Sequence, residues 1–143
     1  MEQSFYKEAI LCLMFTMAEA DTKLDNDELI ACVTMKDVFT EYTEQGILAL
    51  YTEYKKRFEG IGFSEIAHVF VPQIPAELHI ATLSILSDLA ITNFEMDMKE
   101  CSFISIVANS MGITDVVVKT LLMASLSRKL LMDMSETHNY EKN

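Results

Sequence analysis

Residues 9–18 read Ala-Ile-Leu-Cys-Leu-Met-Phe-Thr-Met-Ala, apolar at every position but Thr16. Wound as a helix, such a segment has no side to turn toward water, so it must be surrounded by other elements. The stretch 76–92 has the same nearly all-round apolar character. Two helices of this kind need a shell of further helices. The rest of the chain can supply one: it has only four Gly and two Pro, and no run alternates in the manner of a strand. With half of its 143 residues hydrophobic, the chain can bury a core without disulfides or a structural metal. The expectation is an all-α, single-domain bundle of about seven helices spanning 1–143.

Turn and cap signals divide the chain. The first helix covers 4–20 and is followed by Asp21-Thr22-Lys23-Leu24-Asp25-Asn26-Asp27-Glu28. Asp25 with Glu28 three residues on resembles a capping box and opens a second helix ending near Thr40. Thr43 can start a third, which reaches Arg57 or Phe58 before Gly60 and Gly62 break it. Ser64 is placed to cap a short helix through Val69, and Pro72 and Pro75 bracket the next turn. The fifth helix takes in 76–92. Asp97 with Glu100 repeats the capping pair and opens a sixth that ends near Gly112. Thr114 then caps a seventh running to about Met134, with Val116, Val117, Leu121, Leu122, Leu126, Leu130 and Leu131 as its apolar pattern. The polar tail 135–143 is expected to be flexible.

The formal charge is −11, which repels phosphate backbones and anionic lipid surfaces. Nucleic acid is therefore not an expected partner, whereas cations and basic protein surfaces are natural complements. Cys12, Cys32 and Cys101 lie far apart in apolar helical patterns, with no CxxC or CxxH. They are expected to be buried thiols in a reducing compartment. Met1-Glu2-Gln3-Ser4-Phe5-Tyr6-Lys7-Glu8 lacks the basic start of a signal peptide, and residues 9–18 are too few to span a bilayer. A mature cytoplasmic chain without direct membrane insertion is expected.

The two halves repeat one another. Asp97 follows Asp25 by 72 residues, and Glu100 follows Glu28 by the same 72. At that offset Leu24 matches Met96, Ala18 matches Ala90, Met17 matches Leu89, Leu13 matches Ile85, and Asp21 matches Asn93. Such a register suggests duplication, with halves of about 4–58 and 76–134.

The segment Ala18-Glu19-Ala20-Asp21-Thr22-Lys23-Leu24-Asp25-Asn26-Asp27-Glu28 resembles the signature of the tellurite-resistance TerB-like family. In that signature a helix ends in Ala-Asp-Gly, an apolar residue stands two beyond the Gly, and a Glu four beyond that. Two departures are visible: the Gly is Thr22 here, and in the second copy Asn93-Phe94 stands where the family has Asp-Gly. The resemblance implies an all-α fold with a second, weaker copy of the element. It also implies a non-enzymatic accessory role of the stress-response type, with acidic residues near helix starts proposed to bind divalent metal.

The acids themselves allow two roles. Asp21, Asp25, Asp27 and Glu28 put four carboxylates within eight residues, and Asn93, Asp97 and Glu100 supply a second oxygen-rich set, with Glu95 nearby. Calcium and magnesium prefer such ligands. The spacing is not that of an EF-hand, since Lys23, Asn26 and Cys32 fall at its third, sixth and twelfth positions. Capping alone accounts for Asp25, Glu28, Asp97 and Glu100. Asp21 precedes the cap and is left over. The alternative to a cation-binding accessory protein is a metal-independent interaction module whose acidic surface meets a basic partner.

No catalytic motif is present: there is no HExxH, Gly-rich phosphate loop or GxSxG. His68, His79 and His138 lie away from the acidic segments, and packing or solvation suffices for each. Met14, Met17, Met111, Met123 and Met132 sit in apolar helical patterns and are expected to fill the core.

Overall fold

The computed structural model describes residues 2–20, 39, 41–91 and 98–141. All regular structure among them is helical, and they form six α-helices: α1 (Glu2–Ala20), α2 (Glu44–Phe58), α3 (Phe63–Phe70), α4 (His79–Ala90), α5 (Met98–Ser110) and α6 (Asp115–Glu141). Two 3-10 turns, Val71–Gln73 and Ala76–Leu78, join α3 to α4. The helix expected up to Thr40 lies outside the described residues.

The first helix sits where its composition demands. Every residue from Ala9 to Met17 is buried, and α2, α3, α4 and α5 all pack on α1. Leu11, Leu13 and Phe15 are completely enclosed. α4 also packs against α5 and α6, and it buries Leu83, Leu86 and Ala90. Thr82 and Ser87 are buried too, but the other positions are partly covered or exposed, so α4 is less enclosed than α1.

Local signals explain most boundaries. Thr43 Oγ1 accepts a hydrogen bond from the Gly46 amide at 3.0 Å and caps α2 as expected. At the end of α5, Gly112 adopts φ +73. The Ile113 amide then reaches back to the Ala108 carbonyl at 2.9 Å, the long bond of a Schellman turn. A side chain at Gly112 would be strained in that conformation.

Four expectations are corrected. α3 begins at Phe63 behind Gly62, not at a Ser64 cap, and no side chain caps it. The region after Pro75 forms a 3-10 turn before α4, so the α-helix starts three residues later than Ala76. α6 continues to Glu141 rather than stopping near Met134, because nothing after Gly112 is a Gly or Pro that would end it. Met123 and Met132 do not fill the core; they are 59% and 64% exposed. The apolar pattern expected to face inward on that helix is divided. Val118 and Leu122 are buried, while Val116, Leu130 and Leu131 face solvent.

No single helix among the described residues is long and apolar enough to cross a membrane. The segments Phe63–Gln73 and Ala76–Ala90 together have the length and composition, but they bend by 118° and contribute Ile66, Phe70, Leu83 and Leu86 to the core.

Because Phe15 has no exposed surface, Phe15→Ala should destabilise the protein by ~3–5 kcal/mol in urea denaturation. Thr43→Ala, which removes only an exposed cap, should cost ~1 kcal/mol. Equal costs for the two would contradict the central position of α1.

Candidate functional site

A groove of about 650 Å³ opens between the C-terminal end of α1, the outer face of α2, the start of α3 and the start of α5. Its floor is aromatic. Tyr51, Tyr54 and Phe58 recur at spacings of three and four along α2, so they fall on one helix face. Tyr54 stacks on Phe58 at 5.4 Å between ring centres, and Phe15 of α1 packs against both tyrosines at 5.2 and 5.8 Å. The groove floor is thus the outer edge of the core.

Its hydroxyl groups are arranged in order. Thr16 donates to the Cys12 carbonyl at 2.8 Å, which commits its only proton. The 2.6 Å contact between Thr16 Oγ1 and the Tyr54 hydroxyl is then donated by Tyr54. The Tyr51 hydroxyl donates to Glu19 Oε1 at 2.6 Å. Burial, reinforced by the Glu19 charge, pushes Tyr54 up to about 12. Burial and the bond to Glu19 likewise raise Tyr51 well above its ordinary 10.0. Both phenols are therefore neutral near pH 7 and act as hydrogen-bond donors, not as bases. Cys12 is buried beneath, and burial drives its thiol up to about 12, far from the low values of reactive thiolates.

The rim is charged. Lys55 lies over the Tyr51 ring at 5.3 Å and approaches Glu19 at 3.9 Å. Lys56 and Glu59 from the end of α2 and Lys99 from α5 complete it. Lys55 and Lys56 suit a helix C-terminus, where positive charge meets the dipole. Lys99 is in the first turn of α5, where the dipole disfavours a cation.

Of the sequence-predicted ligands, Asp21, Asp25, Asp27, Glu28, Asn93 and Asp97 lie outside the described residues. Glu100 is on the first turn of α5 and is 7% exposed. No buried side-chain oxygen or nitrogen lacks a partner among the described residues, so its carboxyl is satisfied. No three His, Cys, Asp or Glu side chains are grouped to hold a metal among the described residues. The structure does bring together the helix ends that carry the acidic segments. Ala20, the last described residue before Asp21, and Lys99, two residues after Asp97, line the same groove.

The histidines stand apart from the groove where they are described. His68 is exposed in the last turn of α3, and His79 Nε2 meets the Ile74 carbonyl at 2.9 Å. Cys12 and Cys101 form no disulfide. The groove itself is nearly invisible in the sequence. Its one visible signal was the Tyr51, Tyr54, Phe58 spacing, with Lys55 beside it.

No family model, curated protein or solved structure matches the chain.

The raised tyrosine sets a pH dependence. Tyr54 ionises at about 12 folded against 10.0 for an ordinary tyrosine, so between these values the folded state holds the extra proton. Its contribution to stability is complete below pH 10.0 and is lost as pH rises through about 12. Chemical denaturation at stepped pH should show stability falling across that window. Tyr54→Phe should make the fall shallower, at a cost of ~0.5–1.5 kcal/mol near pH 7 for the lost hydrogen bond. An unchanged slope in the variant would contradict the assignment.

Proposed function

We propose that the chain is a non-enzymatic, TerB-like accessory protein of the tellurite-resistance and stress-response type, acting in the cytoplasm and holding a divalent cation between its two acidic segments. On this reading the bundle has about seven helices in two pseudo-symmetric halves, related by the 72-residue register of Asp25 with Asp97 and Glu28 with Glu100. The observation that carries the proposal is the meeting of Ala20 and Lys99 on one groove. Ala20 leads directly into the first acidic segment and Lys99 follows the second by two residues, while Asp21, Asp25, Asp27, Glu28, Asn93 and Asp97 themselves lie outside the described residues. Carboxylates and an amide oxygen brought near one another form a hard-donor set that suits calcium or magnesium. Glu100, already buried and satisfied, would hold the helix start from within.

One feature favours the alternative, a metal-independent module that binds a protein partner. Lys55, Lys56 and Lys99 stand at the same groove and can balance carboxylates without a cation. The two are separated by thermal denaturation. A cation that binds only the folded chain raises the melting temperature by mass action. Millimolar calcium or magnesium should therefore raise it beyond sodium chloride at matched ionic strength, which controls for screening of the −11 charge. Asp21→Asn should reduce that increment and barely alter stability in chelator. Equal effects of divalent and monovalent salts would reject the cation site and leave the interaction module in its place.

A further inference from the structure

The longest helix of the fold has two apolar faces, and the bundle uses one. The inner face of α6 carries Val118, Leu122 and Ser125. It is fixed in rotation by Asp88 of α4, which accepts from Ser125 Oγ at 2.6 Å and from Arg128 at 2.7 Å. The opposite face presents Val116, Thr120, Met123, Ser127, Leu130 and Met134, all exposed. These positions alternate by four and three residues, the spacing of the a and d positions in a coiled-coil seam. Val116, Met123, Leu130 and Met134 are 72%, 59%, 46% and 69% exposed, an unusual use of apolar residues on a solvated face.

We propose that this face pairs with the same face of a second copy of the chain, as an antiparallel two-helix seam about a two-fold axis near Ser125. In that register Met123 of one copy meets Ser127 of the other, Thr120 meets Leu130, and Val116 meets Met134. Every contact sets a shorter side chain against a longer one, so the helices approach closely and leave few voids. The flanks agree with it. On one side Val117 lies beside Leu131 of the second copy. On the other, Lys119 lies beside Asp133 of the second copy, so opposite charges border the seam on both ends of the axis. Complete burial of Val116, Met123, Leu130 and Met134 in both copies would cover on the order of 1,000 Å², about where specific interfaces begin. Long-range repulsion between two acidic chains is screened beyond ~8 Å at physiological salt.

Sedimentation equilibrium of the full chain over micromolar concentrations, at physiological ionic strength, tests the pairing. A monomer–dimer equilibrium is expected; a monomer throughout, or a larger assembly, overturns it. Met123→Glu and Leu130→Glu are solvent-facing changes, so circular dichroism and the melting temperature of the dilute monomer should be unaltered. Each should raise the dimer Kd by roughly 30-fold or more, because an unpaired charge would enter the seam. A dimer that survives both variants uses another surface and overturns the proposal. Lys119→Glu should weaken the dimer about fivefold, and adding Asp133→Lys should restore it. In a parallel pair these two residues would lie ~21 Å apart, so failure of the rescue overturns the antiparallel register.

Discussion

A helix without a polar side can only exist inside something, and α1 is such a helix. Its burial from Ala9 to Met17 forces four other helices to supply their apolar faces to it. The one hydroxyl in that run, Thr16, must then be satisfied internally, and it is: it donates to the Cys12 carbonyl and accepts from Tyr54. Tyr54 in turn fixes the face of α2 that carries Tyr51 and Phe58. The groove is therefore a consequence of core formation. Its aromatic floor is where the packing around Phe15 reaches the surface.

Charge is distributed against the overall balance of the chain. The protein carries −11, yet among the described residues three of its eleven Lys and Arg side chains line one groove beside two carboxylates, Glu19 and Glu59. Glu19 already receives Tyr51 and approaches Lys55, so much of its field is spent inside the groove. Lys99 sits at a helix start, where the backbone offers it nothing. An anionic group is the natural complement of such a groove, and the chain leads from Ala20 and back from Met98 into the two acidic segments. A divalent cation and a set of lysines are physically equivalent answers to the same crowding of carboxylates. They differ in that only the first responds to the ions in solution.

The all-helical class was legible because it rests on the scarcity of Gly and Pro and on unbroken apolar runs, both of which survive any packing detail. The caps that depend on two or three adjacent residues were legible too: Thr43 and Gly112 act as their types require. The start of α3 was misassigned to Ser64 because a serine is a good cap only if the chain enters from the right direction, and here Gly62 makes the entry. The candidate ligands could be listed but not assembled, because Asp21 and Asp97 are 76 residues apart and only tertiary structure brings their helix ends to one groove. Tyr51 and Tyr54 were overlooked for the opposite reason. Aromatics at helical spacing look the same in sequence whether they are buried or line a cleft.

α6 shows the limit of hydrophobic pattern as a guide to the inside of a fold. An apolar helix can face two ways, and periodicity does not say which face the core takes. Asp88 decides it here, by drawing Ser125 and Arg128 to α4 and turning Met123 and Leu130 outward. The groove is built from α1, α2, α3 and the start of α5, and shares no residue with that outer face. Pairing through α6 would thus leave both grooves open and place two of them on one body. A partner carrying two matching sites would then meet the second at a raised effective concentration, gaining avidity without any new contact. That gain would be a physical reason to keep an apolar face on the outside of the longest helix.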